Sequence, residues 1–178
     1  VVPPALLEQW KNCIMKFLKH PVFVYHGSAV KNTTLEELKQ KPIVLTTYGM
    51  IATRKKQHYK SMLWGPNIIW DRLICDEAHH LRNHKTGACK GVFKILSRIC
   101  WMVSGTPIQN KLSDIRILFA RIGEVIQSEK HLHTAVKKYL LRRTKKGVGI
   151  NIPNLKRKTI LVGWESEEEK TLAASIHS

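Results

Sequence analysis

The sequence lacks a long apolar run, an initiator methionine and the opening pattern of a signal peptide. No stretch approaches the roughly 18 consecutive apolar residues that a membrane-spanning helix needs, so no membrane span is expected. The opening residues contain neither a basic region nor a long apolar region. Because the chain begins with Val1 and not with Met, we expect a segment cut from a longer chain.

Cysteine is scarce, with four residues and no Cys-x-x-Cys pair. Cys75 and Cys100 lie inside apolar runs, which predicts buried thiols and favours a reducing compartment, the cytosol or the nucleus. The nine histidines include no His-Glu-x-x-His pattern. Zinc sites favour ligands at fixed spacing, usually with cysteines, so we interpret the histidines as loop residues.

Acidic residues are also few, with 13 against 30 lysines and arginines and a net charge of +17. Cations are in excess over residues 31–60 and 121–150, whereas the charges of residues 151–178 balance. A field of this sign attracts a polyanion, and DNA or RNA is the usual one. The alternative is a solvated basic surface that only aids solubility.

The sequence does contain short apolar runs, separated by helical stretches. Runs of this kind are typical of strands in a parallel sheet that is buried on both faces. Strands are predicted at 21–25, 43–47, 72–75 and 99–103, with residues 1–2 as a candidate for a fifth. Strands that alternate with helices predict an α/β domain with a doubly wound sheet.

Apolar residues at three- and four-residue spacing predict the helices. One stripe comprises Leu6, Leu7, Trp10, Ile14 and Phe17; a second runs from Ile115 to Ile122, and a third from Val92 to Ile99. Trp10 and Trp101 are predicted to pack in the core, whereas Trp64 and Trp164 are candidates for exposure. Near the C-terminus the chain becomes rich in cations, so we expect a domain at 1–125 and a basic segment at 126–178.

Two carboxylates follow the predicted strand 72–75 directly. Ligands of parallel sheets bind in the crevice at the carboxyl ends of the strands. Asp76 can hold Mg²⁺ for a nucleotide phosphate there, and Glu77 can polarise the attacking water. His79 can sense the phosphate. The alternative is an ordinary acidic turn at the end of a strand.

A second polar loop, Ser104-Gly105-Thr106-Pro107-Ile108-Gln109-Asn110, follows the predicted strand 99–103. It lies one helix and one strand beyond the carboxylates. Small hydroxyl residues at this position can hydrogen-bond the neighbouring loop's carboxylate and histidine. Such contacts would couple the state of the nucleotide to movement of the domain, whereas the alternative is a plain Gly-Pro turn.

Four segments together resemble the first lobe of the Swi/Snf family in helicase superfamily two. VVPPALLEQW is similar to motif Ia, PIVLTTYGMI to motif Ib, WDRLICDEAHHLRN to motif II and WMVSGTPIQNKLSD to motif III. The order and spacing of these segments match the family as well. KKYLLRRTKK followed by Pro153 resembles the stretch in which the family's chain leaves lobe one.

The resemblance implies a partial RecA-like fold of the P-loop NTPase type, with a parallel sheet and flanking helices, followed by a basic linker. It implies an ATPase that uses ATP and Mg²⁺ to move along double-stranded DNA, with chromatin or DNA-bound proteins as further candidate partners. A nuclear location is expected, or a cytoplasmic one if the protein is prokaryotic or viral. Asp76 would position Mg²⁺, Glu77 would be the catalytic base, and the coupling residues would be His79, Ser104, Thr106 and Gln109.

Nucleic-acid contacts are expected from two sets of residues. By resemblance, Thr46, Thr47 and Tyr48 would face the DNA backbone. By charge, the remaining contacts are expected from Arg54, Lys55, Lys56, Arg142 and Arg143.

The chain departs from the family at one important point: Gly-x-x-x-x-Gly-Lys-Ser/Thr occurs nowhere in it. The second-lobe motifs are absent as well, so the chain alone is expected to be inactive. In this fold the phosphate-loop strand lies beside the motif III strand, so strand 99–103 should form an exposed edge. Two readings stay open: part of an active motor, or a truncated product that only binds DNA or a partner. A metal-dependent nuclease would need more carboxylates.

Overall fold

The structure is a computed structural model, and it describes residues 1–54, 60–106, 112–144, 146–149, 156–160 and 163–176. The chain divides into two compact units, Val1–Leu140 and Leu141–Ser178. The first unit thus continues beyond residue 125, where the domain was expected to end. The assignment of the later residues as a linker stays a prediction.

Four strands form two parallel two-stranded sheets in the first unit: β1 (Phe23–Tyr25), β2 (Val44–Thr46), β3 (Ile69–Cys75) and β4 (Leu96–Met102). β1 pairs with β2, and β3 pairs with β4. The N-terminal residues lie between the two pairs: Val2 donates to Thr46 O at 2.9 Å, and Val1 O accepts from Asp76 N at 2.9 Å. The α/β class with parallel strands is therefore confirmed.

The strand bounds differ from the predicted ones at the second pair. β3 begins at Ile69 and β4 begins at Leu96, because these two residues already pair across the sheet. The helix predicted to lead into residue 99 therefore ends at Lys94. Arg121 holds this junction, since its guanidinium donates to Val92 O at 3.2 Å and to Ile95 O at 2.7 Å.

Helices connect the strands and flank them. In the first unit they are α1 (Leu7–Leu18), α2 (Ala29–Asn32), α3 (Leu35–Lys39), α4 (Tyr48–Ile51), α5 (Gly87–Lys94), α6 (Leu112–Arg121) and α7 (Glu129–Tyr139). Side-chain hydroxyls cap three of them at the N-terminus: Thr34 on α3, Thr86 on α5 and Ser128 on α7. These caps satisfy backbone N–H groups that have no partner within the helix.

The main core lies around the sheet and α5, and its most deeply buried side chains include Tyr25, Leu38, Ile51, Leu81 and Val92. A second cluster joins α6 to α7 through Ile115, Phe119, Ile126, Leu132 and Ala135. This second cluster explains why α7 belongs to the first unit: its apolar face is used for packing, although its other face is basic.

Several predictions about burial were wrong. Trp101 is 53% exposed and Trp64 is buried, the reverse of what was expected for both. Phe17, at the end of the α1 stripe, is 74% exposed. Cys75 is fully buried as predicted, but Cys100 is only half-buried. Trp101 lies on β4, which pairs only with β3 among the described residues.

The second unit contains a short 3₁₀ helix, Lys146–Val148, and α8 (Glu167–Ile176). Three glutamates occupy the first turn of α8, where they favour the positive end of the helix dipole. In the described part of the chain, no helix has both the length and the apolar character needed to cross a bilayer.

Candidate ATPase site

The carboxylates and the polar loop meet at the carboxyl edge of β3 and β4. Backbone hydrogen bonds join the two loops just beyond the strands, from Val103 N to Cys75 O at 2.9 Å and from Ala78 N to Val103 O at 2.8 Å. The parallel register of β3 and β4 thus continues past the strand ends. It brings the residues of the predicted motifs II and III together.

Three side chains form a connected path across this edge. His79 Nδ1 lies 3.1 Å from Glu77 Oε2 and 3.2 Å from Ser104 Oγ. Ser104 Oγ also accepts from Thr106 N at 3.2 Å. The path joins the carboxylate loop, which begins with Asp76 and Glu77, to the hydroxyl loop, which contains Ser104 and Thr106. A displacement of one loop therefore shifts contacts of the other. Gln109 lies outside the described residues.

Glu77 adopts a left-handed backbone conformation, with φ 49° and ψ 47°. This region is uncommon for residues other than glycine, and strain of this kind clusters at functional sites. The turn at Glu77 ends β3 and begins the 3₁₀ helix Ala78–Leu81, which carries His79. The Glu77 side chain is 40% exposed, so its carboxylate is open to water and to ligands.

All four polar atoms of Asp76 have partners within the protein. Its backbone N–H donates to Val1 O at 2.9 Å, and its carbonyl accepts from the Tyr48 hydroxyl at 2.6 Å. In its carboxylate, Oδ1 accepts from Glu77 N at 2.9 Å and Oδ2 accepts from Trp10 Nε1 at 2.7 Å. Asp76 is therefore fixed by contacts from three separate parts of the chain.

The surroundings of Asp76 keep two neighbouring groups protonated. Burial raises the pKa of the Tyr48 hydroxyl far above its usual value, and the nearby Cys75 and Asp76 raise it further. Burial also raises the pKa of the Cys75 thiol to about 12. Tyr48 therefore remains a hydrogen-bond donor to Asp76 throughout the physiological pH range.

The expectation that Thr46, Thr47 and Tyr48 face DNA needs correction. All three side chains are buried. Thr46 Oγ1 donates to Tyr25 O at 2.8 Å, and the Tyr48 hydroxyl is bonded to Asp76. These side chains pack and hydrogen-bond inside the domain, so they do not form a surface for phosphates.

The basic residues predicted to bind DNA are distributed over both units. Arg54 is exposed in the first unit, and Arg142 and Arg143 are exposed in the second. Lys55 and Lys56 lie outside the described residues. A DNA-contact role for these five residues stays a prediction. The described residues contain no cluster of His, Cys, Asp and Glu suited to a metal.

Sequence reasoning missed the roles of Trp10 and Tyr48 at Asp76. Trp10 was interpreted as a core residue of α1 and Tyr48 as a DNA contact. The available indication was chemical: a half-buried indole N–H or a buried phenol usually finds an acceptor. The acceptor belongs to a residue 66 positions from Trp10, and spacing along the chain does not reveal such a partner.

The parallel strands and their flanking helices define a lobe of the RecA-like type. The sequence profile of the SNF2-related domain matches residues 1–131. The chain therefore belongs to the SNF2-related domain family, and the predicted resemblance to Swi/Snf proteins is confirmed.

Similar proteins include two named as DNA repair proteins and one named as a transcription termination factor. DNA repair protein RAD5B of Arabidopsis thaliana is 36% identical over 65% of this chain, and DNA repair protein RAD5 of Saccharomyces cerevisiae is 34% identical over 65%. Transcription termination factor 2 of Drosophila melanogaster is 30% identical over 94%. The chain spans 9%, 11% and 18% of those three proteins, respectively.

A solved structure shares the fold. The Sulfolobus solfataricus SWI2/SNF2 ATPase core in complex with dsDNA matches 81% of this chain and is itself covered to 33%, with a TM-score of 0.64. Sequence identity across the match is 23%. At this identity the match shows the fold alone.

Proposed function

We propose that this chain supplies part of the first ATPase lobe of a DNA-dependent motor, which couples ATP hydrolysis to movement along double-stranded DNA. The observation that carries the proposal is the path Glu77–His79–Ser104 beside Asp76, whose carboxylate is oriented by two hydrogen bonds. A catalytic base, a metal-binding carboxylate and a link to the next loop then occupy one sheet edge. We expect the motor to act in the nucleus.

The donor atoms at this edge fit Mg²⁺, which prefers carboxylate and other oxygen ligands. Asp76 would hold the ion, because its carboxylate has four lone-pair positions and only two are used within the protein. When bound, Mg²⁺ neutralises the charge that develops on the transferred phosphoryl group. The loop that would hold the phosphates of ATP is not among the residues of this sequence.

Glu77 would accept the proton of the attacking water. Its carboxylate is open to solvent, and His79 at 3.1 Å limits how the side chain can turn. His79 also contacts Ser104, so the position of the base depends on the hydroxyl loop. Ser104, Thr106 and Gln109 would thereby couple the hydrolysis step to the motion of the lobe.

Double-stranded DNA is the proposed polyanion. The net charge of +17 favours it, and the matched solved core is a complex with dsDNA. Arg54, Lys55 and Lys56 in the first unit, with Arg142 and Arg143 in the second, are the proposed phosphate contacts. Chromatin or DNA-bound proteins are proposed as further partners.

A second candidate function is a DNA- or partner-binding product without catalysis. The two functions differ in whether the carboxylate edge can hydrolyse ATP once a phosphate-binding loop and a second lobe are supplied.

A chimeric ATPase separates these candidates. Residues 1–131 replace the matching segment of the yeast RAD5 protein, and phosphate release is measured with and without duplex DNA. We expect DNA-stimulated turnover by the chimera, loss of that turnover with Glu77→Gln, and none from residues 1–178 alone. Glu36→Gln, an exposed change on α3, is the matched control. A folded chimera without activity would favour the binding-only candidate, and Glu77-dependent turnover by residues 1–178 alone would contradict the assignment of the missing parts.

A further inference from the structure

We propose that Trp10 is a positioning residue for the metal-binding carboxylate of Asp76. Its indole N–H donates to Asp76 Oδ2 at 2.7 Å and so fixes the rotation of the carboxylate about its bond to Cβ. The proposal deepens the proposed function and rests on it, because it assigns a residue to the Mg²⁺ site of that function. Partners that orient metal ligands in this way strengthen metal binding.

The two carboxylate oxygens of Asp76 can each still bind a cation. Oδ1 accepts from Glu77 N at 2.9 Å and Oδ2 accepts from Trp10. Each carboxylate oxygen offers two lone-pair positions, so one remains on each oxygen for a cation or its bound water. The two internal hydrogen bonds thus select one orientation of the carboxylate and do not exhaust it.

The chemistry of the donor also suits a metal site. An indole N–H carries no net charge, so Trp10 can orient the carboxylate without neutralising it. A lysine or arginine at the same place would form an ion pair and repel the incoming cation. The hydrogen bond to an ionised carboxylate is nevertheless stronger than one between neutral groups.

Core packing does not account for Trp10. Helix α1 contains no buried residue, and the Trp10 side chain is only half-buried. The specific contact of this residue is the hydrogen bond to Asp76, which joins α1 to the end of β3 across 66 positions of sequence. Tyr48 fixes the backbone of the same residue from α4, at the Asp76 carbonyl.

The test compares two Trp→Phe variants of the full chain. Trp10→Phe removes the bond to Asp76, whereas Trp70→Phe removes an indole bond to Leu63 O at 3.2 Å, near the start of β3 and at the other end of that strand from the carboxylates. Mn²⁺ replaces Mg²⁺ as a paramagnetic probe, and its free concentration is followed by electron paramagnetic resonance. We expect Trp10→Phe to weaken the Asp76-dependent Mn²⁺ binding by about 10-fold, the lower end of the usual range for such partners. Trp70→Phe should leave it unchanged.

Asp76→Asn defines which part of the Mn²⁺ binding belongs to the site. If Asp76→Asn abolishes Mn²⁺ binding but the two Trp→Phe variants bind Mn²⁺ with the same affinity, the proposal for Trp10 is overturned and the metal site stands. If the unsubstituted chain shows no Asp76-dependent binding, the metal assignment fails and the proposal fails with it.

A second measurement does not depend on metal binding or on the fold of a Trp variant. The ¹⁵N-indole resonance of Trp10 should move when Asp76→Asn removes the charge of its acceptor, while that of Trp70 should not. A Trp10 resonance that is unaffected by Asp76→Asn would contradict the hydrogen bond itself.

Discussion

Replacement of Tyr48 by Phe is predicted to destabilise the first unit by about 2 kcal/mol at pH 8. The change removes a single oxygen from a ring that is 7% exposed, so no large cavity results. What is lost is the hydrogen bond of 2.6 Å to Asp76 O. A typical hydrogen bond contributes about 1 kcal/mol, and a buried acceptor without its donor costs about 1–3 kcal/mol.

The difference between the two proteins should vanish at high pH. An unfolded tyrosine ionises near pH 10, whereas burial and the neighbouring acidic groups raise the pKa of folded Tyr48 well above that value. Above pH 10 the unfolded chain therefore binds fewer protons than the folded one, and stability falls as pH rises. The slope is about 1.4 kcal/mol per pH unit, so an advantage of about 2 kcal/mol disappears near pH 11.5.

Urea unfolding at several pH values measures this difference. Titrating groups that do not contact Tyr48 are shared by both proteins and cancel, and Tyr139→Phe, which alters a ring that is 45% exposed, is the control. We expect the control to change stability by less than about 0.5 kcal/mol at pH 8. A Tyr48→Phe effect that is below about 0.5 kcal/mol at pH 8, or that persists unchanged to pH 11.5, would refute the role assigned to the hydroxyl.

Two further predictions concern DNA binding and packing. Affinity for duplex DNA should fall steeply with salt and depend little on sequence. Replacing Arg54, Lys55 and Lys56 together by Ala should weaken binding to all DNA sequences alike and reduce the dependence of affinity on salt concentration. Filter binding or fluorescence anisotropy measures the affinity. An affinity that does not change with salt concentration would contradict the electrostatic basis. Gly91→Ala should lower the free energy of unfolding by about 3 kcal/mol, because a Cβ at this position overlaps Ile51 O. Gly49→Ala on α4 should raise it by about 0.5 kcal/mol, because a Cβ there meets only Thr47 Oγ1 at 3.9 Å. Equal shifts in the melting temperature for both variants would show that α4 and α5 are less tightly packed.

The parallel sheet and the location of the carboxylates were predictable because both depend on local sequence. An apolar run that ends in Asp76-Glu77 indicates a buried strand with polar residues at its carboxyl end. The loop from Ser104 follows the next strand, and the carboxyl ends of parallel strands lie at one edge. The meeting of His79 with Ser104 follows from that register.

The burial of individual tryptophan side chains was not predictable in the same way. Trp101 has the neighbours of a core residue in the sequence, but it lies on β4, which has a single described partner strand. Trp64 stands beside Gly-Pro, which suggested a turn at the surface, yet its ring packs in the main core with the Lys94 ammonium 4.5 Å from the ring centre. In both cases exposure depends on the tertiary neighbours and not on the local run of residues.

The residues that orient Asp76 were not predictable from the local sequence, although Asp76 itself was. Asp76 is recognisable because it ends a strand, but its orientation depends on Trp10 and Tyr48, which come from helices that precede β3 by many residues. α1 begins in the segment that resembles motif Ia, and α4 lies in the segment that resembles motif Ib. The orientation of the carboxylate that we propose for Mg²⁺ therefore depends on two side chains outside the carboxylate loop.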